Sequence, residues 1–181
     1  MSLFAVIDTE TTWSGRLMTV GVLIAESDTF KVVGHKYYVV KEALVEGGMY
    51  DCVIHVKGLV EKKVSEKSIG QEIYDYLNEN NVASIYAYNA NFDKNCLPYL
   101  SMFRWHDIMR LAAYKQYNSA IPETAPCCKT GRLKSGYGVE NIMKMFGKMD
   151  YFESHNALID ARDELEIMKL LGHALEVYPE I

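Results

Sequence analysis

The run Phe4-Ala5-Val6-Ile7 stops at Asp8, and a second carboxylate, Glu10, follows two positions later. An apolar run of this kind reads as a strand buried on both faces in the middle of a sheet. On a strand, residues i and i+2 face the same side, about 6 to 7 Å apart along the chain. Asp8 and Glu10 therefore project together if the strand continues that far. Two carboxylates so placed repel each other unless positive charge lies between them, and hard divalent cations such as Mg²⁺ or Mn²⁺ prefer oxygen ligands of this type. An isolated pair is more often a solvated strand end than a site, so the acids elsewhere in the chain decide its meaning.

The rest of the chain supplies a frame for that strand. Leu17–Ala25 and Phe30–Val40 are two further β-rich runs, separated by a polar turn at Glu26, Ser27 and Asp28; with the first they predict a three-stranded meander. Ile69, Ile73, Tyr76 and Leu77 recur at helical spacing as far as the polar stop Asn78–Asn81. The apolar run Ala83–Tyr88 then leads into Asn89-Ala90-Asn91-Phe92-Asp93, which has the form of a helix start. Further helices are expected over Ile108–Gln116, over Val139–Phe146 before Gly147, and from about Ala157 to Glu176, where Leu158, Ala161, Leu165, Met168 and Leu175 trace one apolar stripe. Ser119–Gly138, with Pro122 and Pro126, is the one long loop. Strands followed by alternating helices and strands predict an α/β fold with a mixed sheet, and 181 residues with 49% hydrophobic composition suit one domain over residues 1–181.

Composition limits the partners. The first residues lack the basic and apolar regions of a secretory signal, and no stretch approaches 18 uninterrupted apolar residues; a cytoplasmic location away from membranes is the expectation. Cys52, Cys96, Cys127 and Cys128 form neither a CxxC pair nor a spaced zinc-ligand set and read as reduced thiols. The formal charge of −5 is not the footprint of a protein that coats long nucleic acid. A negatively charged partner would need bound cations or a local basic patch.

Two more acids change the weight of the first pair. Asp93 falls just past a buried strand, where ligands collect in α/β sheets, although a helix N-terminal acid complementing the dipole reads equally well there. Asp160 stands early in the last helix, with His155 five residues before it. On one continuous helix those side chains would be about 140° apart, so His155 is placed just ahead of the helix, with Asn156 near its cap. Imidazole and carboxylate can then converge. Four carboxylates can anchor two cations about 3.5 to 4 Å apart for in-line attack on a phosphate, with a histidine as general base for water.

These residues resemble the DEDDh 3′-5′ exonucleases of the ribonuclease H-like superfamily. Asp8–Thr12 (DTETT) is similar to the first motif, Tyr88–Leu97 (YNANFDKNCL) to the second and His155–Ala161 (HNALIDA) to the third, in the right order over nearly the whole chain. His155, five positions before Asp160, selects the histidine subtype; the sister group would place Tyr where Asn156 stands.

The resemblance implies a ribonuclease H-like α/β fold with a mixed five-stranded sheet flanked by helices. It implies that Asp8, Glu10, Asp93 and Asp160 bind two Mg²⁺ or Mn²⁺ ions, and that His155 activates water to release nucleoside 5′-monophosphates from the 3′ end of single-stranded DNA or RNA. It sets Thr11 and Thr12 beside the terminal nucleotide and His55 near the terminal base, although Val56 and Lys57 separate His55 from Gly58. Asn89 and Phe92 join them as pocket residues, Phe92 reading equally as core. Trp13 reads as a stacking platform for a base or as core or interface filling. Lys129, Arg132 and Lys134, in a loop segment without acids, are the expected backbone contacts, a solvated basic loop being the plain alternative. Two divalent ions add +4 to −5 and leave about −1, with the gain focused on the site.

Relatives of this kind act as homodimers or as subunits of polymerases and larger assemblies. Two other readings stay open at the level of sequence: a non-catalytic subunit that keeps the fold, and a phosphohydrolase for free nucleotides.

Overall fold

The computed structural model describes residues 2–181, and its opening strand β1 (Leu3–Thr11) runs through the interior of the sheet. β2 (Leu17–Glu26) and β3 (Val32–Val40) follow as the expected antiparallel meander. The other elements are β4 (Glu61–Val64), α1 (Ile69–Glu79), β5 (Ser84–Ala87), α2 (Asn91–Cys96), β6 (Arg104–Asp107), α3 (Met109–Ala112), α4 (Val139–Met145) and α5 (Ala157–Leu171). The strand order is β4-β3-β2-β1-β5-β6, with β5 parallel to β1 and β6 parallel to β5. Parallel pairing brings the carboxyl ends of β1 and β5 to the same edge, which is where Asp8, Glu10 and Asp93 lie.

Antiparallel partners share a face, and this sets the two sides of the sheet. Asp8, Gly21 and Tyr37 form one cross-strand row, while Thr9, Val20 and Tyr38 form the next row on the opposite face. α5 lies on the Asp8 face: a Cβ built on Gly21 would stand 2.1 Å from the Ala157 carbonyl oxygen. Only glycine lets the helix come so close. α1 lies on the other face, where the Tyr38 hydroxyl donates to the Glu72 carbonyl at 3.3 Å. The core is one continuous cluster that includes Phe4, Val6, Ile7, Leu23, Ile73, Trp105, Leu158 and Leu165.

Three expectations need correction. The sheet has six strands rather than the five that the resemblance implied; β4 and β6, four-residue segments bearing charge, EKKV and RWHD, carry no alternating apolar signal in the sequence. The helix expected over Ile108–Gln116 is only α3. The long loop takes over the backbone beyond it, with the Leu133 amide donating to the Ala113 carbonyl at 2.9 Å and the Lys115 amide to the Gly131 carbonyl at 3.0 Å. The last helix ends at Leu171 rather than near Glu176, because Gly172 adopts a left-handed conformation, φ 68°, that caps it. The four cysteines carry free thiols, and among the described residues no helix is long and apolar enough to cross a membrane.

Candidate active site

β1 delivers Asp8 and Glu10 on the α5 face, and α5 delivers Asp160 in its first turn. The start of that helix is firmly held. Asn156 is its N-cap, with Oδ1 accepting from the Ile159 amide, while its Nδ2 donates to the Tyr37 hydroxyl at 3.0 Å and the Val53 carbonyl at 2.8 Å. Ser154 donates to Asp160 Oδ1 at 3.0 Å. His155 is fixed between these two anchored neighbours in a left-handed conformation, φ 56°, rare for a residue with a Cβ. Its ring stacks on Tyr50 with centroids 3.8 Å apart and planes 13° apart.

As a result, ligand atoms of Glu10, His155 and Asp160 all lie within 4.8 Å of one another. Asp93 approaches from α2, buried and held by the Thr9 hydroxyl, which donates to its Oδ1 at 2.8 Å. Thr9 sits between Asp8 and Glu10 and faces the other way, so one short stretch of β1 positions three of the acids.

The electrostatics record how crowded this charge is. Burial pushes Glu10 up to about 8, aided by the carboxylates of Asp160, Glu153 and Asp93. Burial raises Asp93 to about 7 against the opposing hydrogen bond from Thr9, and Asp160 to about 7 against that from Ser154. Asp8 is pushed well above the usual carboxylate range, first by burial and then by the charges of Glu164, Asp93, Asp160 and Glu10. Among the described residues, Asp8 Oδ2 and Glu164 Oε2 are buried without a hydrogen-bond partner, and none of the site acids forms an ion pair with Lys or Arg. An all-carboxylate cluster beside an imidazole, with orphaned oxygens and no internal cation, fits hard divalent metal.

The other sequence candidates are spread around and beyond this centre. Thr11 ends β1. Thr12 is buried, and its hydroxyl accepts from the Arg16 amide at 3.1 Å, closing the β1–β2 turn. Trp13, at that turn, is 66% exposed, and Phe92 on α2 is 48% exposed; neither fills the core. His55 pairs with Glu61 Oε1 at 2.7 Å, and Tyr50, from the same connection, takes the place against His155. Asn89 and Arg132 line one cavity of about 360 Å³ with Tyr88, Met109, Tyr137 and Gly138. Lys129 and Lys134 are exposed on the long loop.

Sequence reasoning missed Tyr50, Thr9, Ser154 and Glu164. None left a usable signal in the sequence, since Glu164, one turn after Asp160, is masked by the charged residues around it.

The fold is shared with solved 3′-exonuclease structures. The nuclease domain of 3′hExo, a DEDDh family member solved bound to rAMP, superposes with a TM-score of 0.64 at 12% identity, covering 99% of this chain and 96% of that one. Exonuclease I superposes with a TM-score of 0.64 at 19% identity over 97% of this chain and 42% of its own length. The 3′-exonuclease solved in recognition of a histone mRNA stem-loop gives 0.62 at 11% identity, over 99% of this chain and 70% of that one. No protein-family model and no curated protein matches the sequence.

Proposed function

We propose that the chain is a 3′-5′ exonuclease that hydrolyses the terminal phosphodiester of single-stranded DNA or RNA and releases nucleoside 5′-monophosphates. One observation carries the reading: carboxylates from β1 and α5, Glu10 and Asp160, 150 positions apart (160 − 10), meet beside the His155 imidazole, with Asp93 tied to the same strand through Thr9, on a fold shared with 3′-exonuclease domains.

Two divalent cations, Mg²⁺ or Mn²⁺, held by Asp8, Glu10, Asp93 and Asp160, would supply the charge neutralisation and Lewis acidity that phosphodiester cleavage needs. His155 accepts the proton of the attacking water, a role suited to a ring fixed by Tyr50 and within reach of Glu10 and Asp160. Its constrained backbone and stacked ring limit the motions that would blur that transfer. Trp13, Tyr50 and Phe92 offer aromatic surface on segments that carry or adjoin the site residues, as stacking of unpaired bases requires. Arg132, Lys129 and Lys134 take the backbone beyond the terminal nucleotide.

The test uses single strands labelled at either end, with Mg²⁺, Mn²⁺ or EDTA. Labelled mononucleotide should leave the 3′-labelled strand at once, and the 5′-labelled strand should shorten stepwise, only with cation. For His155→Ala the rate should fall by about 10² to 10⁴. Consumption of free nucleotides with oligonucleotides left intact would overturn the reading.

A further inference from the structure

α5 presents a second carboxylate on the face that bears Asp160. Glu164 lies one turn on, is 2% exposed, and its Oε2 accepts no hydrogen bond among the described residues. On the sheet face that α5 covers, Asp8 Oδ2 is likewise buried and without a partner among the described residues.

Neither group can withdraw easily. Gly21 lies beside Asp8 in the cross-strand row and lets the α5 backbone press against the sheet. Asp8 is fixed by its strand, and among the described residues no Lys or Arg forms an ion pair with either acid. Buried carboxyl oxygens without partners are tolerated only where a proton or a cation neutralises them.

We propose that Glu164 is a fifth carboxylate ligand of the cation site, binding one divalent ion together with the inner oxygen of Asp8. The proposal rests on the cation-dependent reading above and adds a residue outside its four acids. A site with five carboxylates holds its cations more tightly than one with four, and repels itself more strongly when they are removed. Affinity is gained from the same juxtaposition that weakens the cation-free protein.

The test is Mn²⁺ titration of the intact protein, followed by the electron paramagnetic resonance of free Mn²⁺, on the wild type and Glu164→Gln. Melting of both proteins in EDTA is measured alongside. The variant should lose affinity for at least one ion by about tenfold or more, and should melt above the wild type in EDTA because it lacks the repulsion. Equal Mn²⁺ stoichiometry and affinity in the two proteins overturns the proposal, as does a variant that is less stable in EDTA or does not fold. If the wild type itself binds no Mn²⁺, the cation-dependent function fails first, and this ligand with it.

Discussion

The Thr9 hydroxyl donates a 2.8 Å hydrogen bond to Asp93 Oδ1, joining residues 84 positions apart. Thr9 occupies the gap between Asp8 and Glu10 and points to the opposite face of β1. The strand therefore carries two acids on one side and grips a third from the other.

Thr9→Val keeps the shape of the side chain and removes that donor. Asp93 then loses both an orienting contact and an interaction that favours its charged form. Cation affinity should weaken by about 10- to 100-fold, the usual worth of a residue that orients a ligand. Isothermal titration with Mn²⁺ measures it, and an unchanged affinity would remove Thr9 from the account.

The acids also set a pH dependence. Glu10, Asp93 and Asp160 stand at about 8, 7 and 7 in the folded protein, against ordinary values of about 4 in an unfolded chain. Between about pH 4 and pH 8 the folded state binds more protons than the unfolded state, so stability without cation falls as pH rises. In EDTA the melting temperature should decline from pH 5 to pH 8. Added Mg²⁺ should flatten that slope, because a bound cation replaces the protons. A cation-free melting temperature that rises over this range contradicts the crowded-acid arrangement.

Gly21→Ala tests the close approach of α5. The added Cβ would meet backbone atoms of Ala157 and Leu158 at 2.1 to 2.4 Å, which no side-chain adjustment relieves. A destabilisation of about 3 kcal/mol or more is expected, read as a lower urea midpoint. Nuclease activity should fall further than stability alone accounts for, since the displaced helix bears Asp160.

How much of this was legible in sequence depends on the kind of signal each feature leaves. β1 announces itself because a central strand must be apolar on both faces, so the acids that end it stand out. Asn156 is readable as a cap because a helix start needs a side-chain acceptor, and that reading alone puts His155 outside the helix and within reach of Asp160. β4 and β6 are not readable in the same way. They are short, contain Lys62, Lys63, Arg104 and Asp107, and join the sheet through backbone hydrogen bonds that any side chain permits. Glu164 sits within ARDELE, which reads as a solvated charged face until Gly21 shows how near the helix lies to β1. Tyr50 occupies a loop with no periodicity at all. His55 was placed by resemblance, and the local pairing with Glu61 turns on a contact six residues away.

The central claim is that the β1 acids serve hydrolysis rather than folding, and Asp8→Asn separates the two. Removing one of several crowded negative charges should leave melting in EDTA unchanged or raised, while Mg²⁺-dependent release of mononucleotides from a 3′-labelled single strand falls by about 10³-fold or more. A folded variant that keeps its activity within about threefold would contradict the account.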